Sequence, residues 1–118
     1  MSAPLASRET AKLAITRYAI DACQHGARLW TYTDLATALG RAPSVARQLG
    51  PMLALLRIEC HAQGLPNLCA VIVASGTDMP SRKSFDTLSG TWCDTGLDET
   101  GVREEQARIL TFDWCGVA

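Results

Sequence analysis

Histidine is scarce in this chain, and cysteine pairs at metal-binding spacing are missing. The sequence of 118 residues has two histidines, His25 and His61, and five cysteines, Cys23, Cys60, Cys69, Cys93 and Cys115, none of them in a Cys-x-x-Cys pair. A zinc site or a dithiol redox centre needs several donors held close together, so no metal or cofactor is expected. The odd, widely spaced cysteines read as reduced thiols of a cytosolic protein. Long apolar runs are missing too. No stretch approaches the roughly 20 apolar residues that cross a bilayer, and MSAPLASRET lacks the apolar core of a signal peptide. The expectation is a soluble, cytoplasmic protein with no membrane partner.

Charge of one sign is also lacking. A net charge of −1 and a pI near 6.1 leave no molecule-wide basic field of the kind non-specific nucleic-acid binders use. The distribution is uneven, however. Residues 1–83 hold nine Lys/Arg against five Asp/Glu, a net of +4, and residues 84–118 hold two against seven, a net of −5. A mildly basic core beside an acidic extension accounts for this, and so do scattered solvated charges. No repeat, low-complexity tract or linker divides the chain, and a hydrophobic fraction of 47% supplies a core for one small domain over residues 1–118.

What is present is organised around residues 31–73. Before them, Ser7 is a suitable N-cap for a helix to about Gln24, with Glu9 in the first turn and Ala11, Ile15, Tyr18 and Ala22 on one apolar face. Gly26 ends that helix, and His25 is expected as a capping or solvent residue. Leu13 and Ile20, in line on another side, call for a second covering element such as the C-terminal segment. Residues 27–32 suit a β-bridge with Trp30 buried. Thr33 is placed to cap a short helix over residues 34–39, which Gly40 stops. Ser44 is placed to cap a helical stretch to about Ala62, with Leu49, Leu53, Leu56 and Cys60 inward. Pro51 inside it predicts either a kink or two helices, one reaching Leu49 and the next starting at Pro51. After the Gly64-Leu65-Pro66 break, residues 68–74 read as a strand covered on both faces.

Residues 75–80 read as a turn and residues 81–85 as the return of a wing, with Arg82 and Lys83 as phosphate contacts or as solvated charges. Residues 86–96 read as a Thr-, Ser- and Gly-rich loop that anchors Trp92. Asp98 or Thr100 then begins a helix to about Leu110 that packs through Val102, Ala107 and Ile109, and Phe112 and Trp114 pin the C-terminus. Asp98, Glu99, Glu104 and Glu105 read as the solvated side of that helix or as a docking face for a basic partner. The order of elements is that of an α+β fold, a small winged helix-turn-helix domain with an added C-terminal helix. Its core covers about residues 9–85, and residues 86–118 form an acidic extension.

Three groups of residues carry a family resemblance: Thr31-Tyr32-Thr33-Asp34-Leu35-Ala36, Gly40, and Ala46-Arg47-Gln48-Leu49-Gly50, followed by Leu65-Pro66 and a strand. In this order they resemble the winged-helix half of the DNA alkylguanine alkyltransferases and alkyltransferase-like proteins, which show a Thr-Tyr-Gly-x-Leu-Ala start and an Ala-Arg-Ala-Val-Gly recognition helix. The resemblance implies that Arg47 enters the DNA stack in place of an extruded base and that Tyr32 crowds the target phosphate, a coherent pairing because unstacking a base must be offset. On the residues alone, Arg47 is equally a solvated helix residue and Tyr32 a core-edge aromatic. The chain from Gly64 onward, with its added tail, also looks like small bacterial or phage winged-helix proteins.

The departure lies where that family has Pro-Cys-His-Arg-Val. Here the chain reads Asn67-Leu68-Cys69-Ala70-Val71, so Cys69 lacks the neighbouring histidine. A thiol without a base or positive surroundings stays protonated, and an apolar strand raises its pKa. The one Cys-His pair, Cys60-His61, lies on a helix, where adjacent side chains point apart. No catalytic residue is assigned, and the protein is not expected to be an enzyme. The function expected is non-catalytic DNA binding that probes or distorts bases, through Tyr32, Ser44, Arg47, Gln48, Arg82 and Lys83. The alternative is a protein-interaction module or phage-type inhibitor that engages a host nucleic-acid-processing or defence protein.

Overall fold

The computed structural model describes residues 4–118; residues 1–3, the start of the stretch read for a signal core, lie outside the described residues. Helix α1, Arg8–His25, starts where the Ser7 side chain accepts the Thr10 N–H, and it stops at Gly26, whose φ of 89° suits glycine alone. Its buried face runs through Ala11, Ile15, Tyr18 and Ala22. Leu13 stays 38% exposed and Ile20 half-buried, so the second covering element expected over them does not form. The C-terminal segment packs instead on the Tyr18 side of α1.

Helix α2, Tyr32–Ala38, is capped by Thr31 and not by Thr33. The Thr31 hydroxyl accepts the Asp34 N–H at 3.0 Å, and the Asp34 carboxylate accepts the Thr31 N–H at 2.9 Å. That reciprocal pair satisfies two orphan donors, whereas a cap at Thr33 would find Ala36 in the reciprocating position. A 3-10 turn, Pro43–Gln48, packs on α2, and helix α3 follows as Gly50–Ala62 with Pro51 in its first turn. Pro51 thus begins a separate helix, where its missing N–H costs nothing. Ser44 is not the cap expected of it, because the turn begins one residue earlier at Pro43, whose fixed φ sets its start.

Only the end of residues 68–74 is extended. Leu68–Val71 wind into a 3-10 turn set by Asn67, whose side-chain oxygen accepts the Cys69 N–H at 3.1 Å. Strand β2 is Ile72–Val73, parallel to strand β1, Trp30–Thr31, with Trp30 opposite Ile72. Every residue from Leu68 to Val73 is buried.

Residues 81–85 do not return to β2 as the wing was expected to. Ser81 caps a 3-10 turn, Arg82–Ser84, and strand β3, Phe85–Asp86, pairs antiparallel with strand β4, Thr91–Trp92. Part of the stretch expected as loop is therefore the second strand of a hairpin, closed by an edge-to-face contact of Phe85 and Trp92 at 4.7 Å. Helix α4, Glu99–Thr111, starts at the Asp98 cap. Val102 and Ile109 are buried, but Ala107 is exposed; the buried neighbour is Gln106, which donates to the carbonyls of Ala70 at 3.0 Å and Asp78 at 2.8 Å.

Trp114 is buried against Tyr18, ring centroids 5.3 Å apart, and donates to the Ile109 carbonyl at 2.8 Å. Beside it Cys23 and Cys115 form a disulfide, with Cα atoms 4.8 Å apart. The expectation of five reduced thiols is corrected: Cys60, Cys69 and Cys93 are free, and the other two are bonded across 92 residues of sequence. Arg8 and Glu59 tie α1 to α3 at 2.9 and 2.7 Å. The result is a compact α+β domain whose radius of gyration, 13.2 Å, matches the about 13.5 Å expected at this length. No described helix is long and apolar enough to cross a membrane.

Replacing Cys23 and Cys115 by Ser should lower the unfolding free energy by about 2–4 kcal/mol, because the bond closes a long loop in the unfolded chain. Urea denaturation with and without the substitutions checks this. The Glu59 carboxyl is held below its ordinary pKa by hydrogen bonds from Gln63 and then Arg8. Its contribution is therefore complete above the ordinary glutamate pKa and is lost as the pH falls through the lowered value. Glu59→Gln should flatten the acid limb of a stability-against-pH curve, and an unchanged limb would remove Glu59 from it.

Candidate nucleic-acid interface

Tyr32, the first residue of α2, is half-buried, and its hydroxyl oxygen accepts the Ser81 N–H at 2.9 Å. Burial raises the phenol above its ordinary pKa, against the lowering effect of that bond. The contact brings the Arg82–Ser84 turn to the start of α2. Arg82 itself lies over the rings of Phe85, at 4.5 Å, and Trp92, at 5.6 Å. These cation–π contacts leave its charge uncancelled.

Ser44, Arg47 and Gln48 are all exposed on the 3-10 turn that packs on α2. The structure thus links all six expected residues through α2: Tyr32 on it, Ser44, Arg47 and Gln48 on the turn packed against it, Arg82 and Lys83 on the turn bonded to Tyr32. Among the described residues Arg47, Arg82 and Lys83 have no carboxylate within ion-pairing distance. Of the seven carboxylates of the extension, Glu99 and Glu105 are ion-paired. Glu99 pairs with Arg103, which also meets Asp78 at 3.1 Å, and Glu105 accepts from Arg108 and from the Asn67 N–H, both at 2.8 Å.

The thiols are placed against nucleophilic chemistry. Cys69 is fully enclosed, and its Sγ donates to the Leu53 carbonyl at 3.2 Å. Burial holds its pKa well above the ordinary thiol range. Burial likewise pushes Cys60 up to about 11, and His61 beside it in sequence is exposed. Among the described residues no cluster of three or more His, Cys, Asp or Glu is placed to hold a metal.

Arg57 ends the 44–57 stretch expected to meet DNA and Ser84 lies in the expected wing, but their grouping with Asp94 as the polar ground behind Tyr32 was not foreseen from the sequence. Burial raises the Asp94 carboxyl above its ordinary pKa, opposed by a Ser84 hydrogen bond and by the Arg57 charge. Arg57 donates to the Cys93 carbonyl at 3.3 Å and lies across Gly96, where an added Cβ would meet its guanidinium at 2.7 Å. Gly96 also has a φ of 69°, a conformation that favours glycine, while the guanidinium at the end of an exposed side chain is free to shift. A signal for this group was available only as a Trp-Cys-Asp-Thr-Gly run in a polar stretch, which gives no hint of its partner on α3. On the other side of Arg57, an open groove of about 680 Å³ lies between α3 and α4, with Ile58, His61, Leu65 and Arg108 along it.

Comparison with protein-family models, with curated proteins and with solved structures finds no match to this chain.

A thiol-specific reagent should modify Cys93 in the folded protein, because it is the exposed free cysteine, and should reach Cys60 and Cys69 only on unfolding. Mass spectrometry of the labelled peptides reads this directly. Native labelling of Cys69 would reopen the question of a reactive thiol on the Leu68–Val71 turn.

Proposed function

We propose that this protein is a non-catalytic DNA-binding domain of winged-helix type, in which the β3–β4 hairpin takes the part of the wing. The observation that carries the reading is the uneven use of charge. Arg47, Arg82 and Lys83 stand without carboxylate partners on turns joined to α2, while Glu99 and Glu105 of the acidic extension are engaged within the chain. Unpaired guanidinium and ammonium groups on short, braced turns suit phosphate oxygens, which position a protein on a duplex without reading sequence. The low net charge then restricts binding to one face.

Tyr32 enters this reading as a brace. With its oxygen committed to Ser81, it fixes the Arg82 turn relative to α2, and its role toward DNA is to position rather than to touch. Ser44, Arg47 and Gln48 are the residues left to meet the duplex from the 3-10 turn. A second reading, a protein-interaction module, is favoured by large apolar side chains left in solvent, Ile58 at 52% and Leu110 at 45% exposure.

Fluorescence anisotropy with duplex DNA at low salt separates the two. The DNA reading expects binding that weakens steeply with salt, and Arg47→Ala and Arg82→Ala should each reduce the magnitude of the logarithmic salt slope by about one. Absence of binding at low salt would sink this reading and leave the protein partner.

A further inference from the structure

Leu88 is 97% exposed, far beyond Leu13, Ile58 and Leu110, the other large apolar residues in solvent. A single exposed leucine says little on its own. What sets Leu88 apart is its place at a projecting turn held by its own hydrogen bonds, where the other three lie on the sides of helices. It lies in the tip of the hairpin between β3 and β4, where its N–H donates to the Asp86 carboxylate at 2.9 Å and the Gly90 N–H donates to the Asp86 carbonyl at 2.8 Å. The hydroxyls of Ser89 and Thr91 share a bond of 2.7 Å, and Gly90 takes a φ of 70° that closes the turn. The Asp86 carboxylate, the acidic group beside the tip, stays ionised as it accepts the Leu88 N–H. The Leu88 N–H, then the Ser89 hydroxyl, lower the Asp86 pKa.

Below the tip the hairpin is anchored, not free. Trp92 is buried and donates to the Pro80 carbonyl at 3.2 Å, Phe85 packs on its ring edge, and Arg82 covers both. The Ser81 bond to Tyr32 then joins this base to α2. An apolar side chain therefore stands on a fixed stalk with unpaired cations, Arg82 and Lys83, at its root. Apolar wedges on basic elements enter the minor groove, part a base step and kink the duplex by about 20–90°.

We infer that Leu88 is such a wedge, inserted between base pairs of a duplex whose phosphates are held by Arg82 and Lys83. This rests on the DNA-binding reading above and adds to it a distortion of the duplex made by a residue that carries no charge. A pyrimidine–purine step such as TA is the preferred site, because it unstacks most easily. The specificity that results comes from deformability, with no base-edge hydrogen bond needed.

The test uses the full chain and a duplex with one central TA step, carrying a donor and an acceptor fluorophore at its ends. Binding of the unaltered protein should raise energy transfer as the ends approach. Leu88→Ala should lose that rise while keeping the salt slope, since the phosphate contacts remain, and Leu88→Phe should restore it. Leu88 touches nothing that its truncation would unfold, so a changed circular dichroism spectrum is not expected. Equal energy transfer with Leu88→Ala would overturn the wedge and leave DNA binding standing. No association of the unaltered protein with the duplex would overturn both.

Discussion

A buried stretch of chain that is neither helix nor full strand must have its backbone groups satisfied, and residues 67–74 impose that demand on everything around them. Asn67 N–H is met by Glu105, Cys69 N–H by the Asn67 side chain, Ala70 N–H by the Asn67 carbonyl, the Ala70 carbonyl by Gln106, and Ala74 N–H by the Met79 carbonyl. Strand β1 pairs with Ile72 and Val73. Helix α4 is therefore not an appendage to a finished core. It supplies two of the polar partners without which the Leu68–Val73 segment would be too costly to bury.

The same demand explains where the charges go. Glu105 is drawn in to hold Asn67 and Arg108, and Asp78 and Glu99 are drawn to Arg103. Arg103 and Arg108 are already counted in the net of −5 of residues 84–118, so these pairs place the charges without reducing that surplus. Of the earlier cations with no ion pair among the described residues, Arg47, Arg82 and Lys83 lie on the turns around α2, and Lys12 and Arg17 lie on α1. A sequence that sums to −1 can still present a basic face, since the sum says nothing of which charges are already matched.

Elements defined by local chemistry were readable from the residues. Ser7, Gly26 and Asp98 mark helix ends through bonds to their own neighbours, and Pro51 begins a helix for a reason internal to its ring. The readings that changed were those decided by distant partners. Val71 looks like a strand residue, but the Asn67 side chain and Gln106 bend its segment into a 3-10 turn. Phe85 looks like the return of a wing on β2, but the ring of Trp92 offers a better cross-strand partner. The disulfide had no local signature, because Cys23 and Cys115 are brought together by the packing of Trp114 on Tyr18. At the candidate interface, residue types and order singled out Tyr32, Arg47 and Arg82 as expectations. The bond that joins Tyr32 to the Arg82 turn spans 49 residues and was beyond any local pattern.

Gly96 and Arg57 share one volume of space, since the guanidinium lies where the first carbon of any larger side chain at 96 would go. That guanidinium is the far end of an exposed, flexible side chain, so it can swing aside, and the firmer constraint at 96 is its φ of 69°. Asparagine or aspartate tolerates that conformation better than most residues. A side chain at 96 would therefore be felt through Arg57, by moving it off the Cys93 carbonyl, and this links the drift of the loop to the surface of α3.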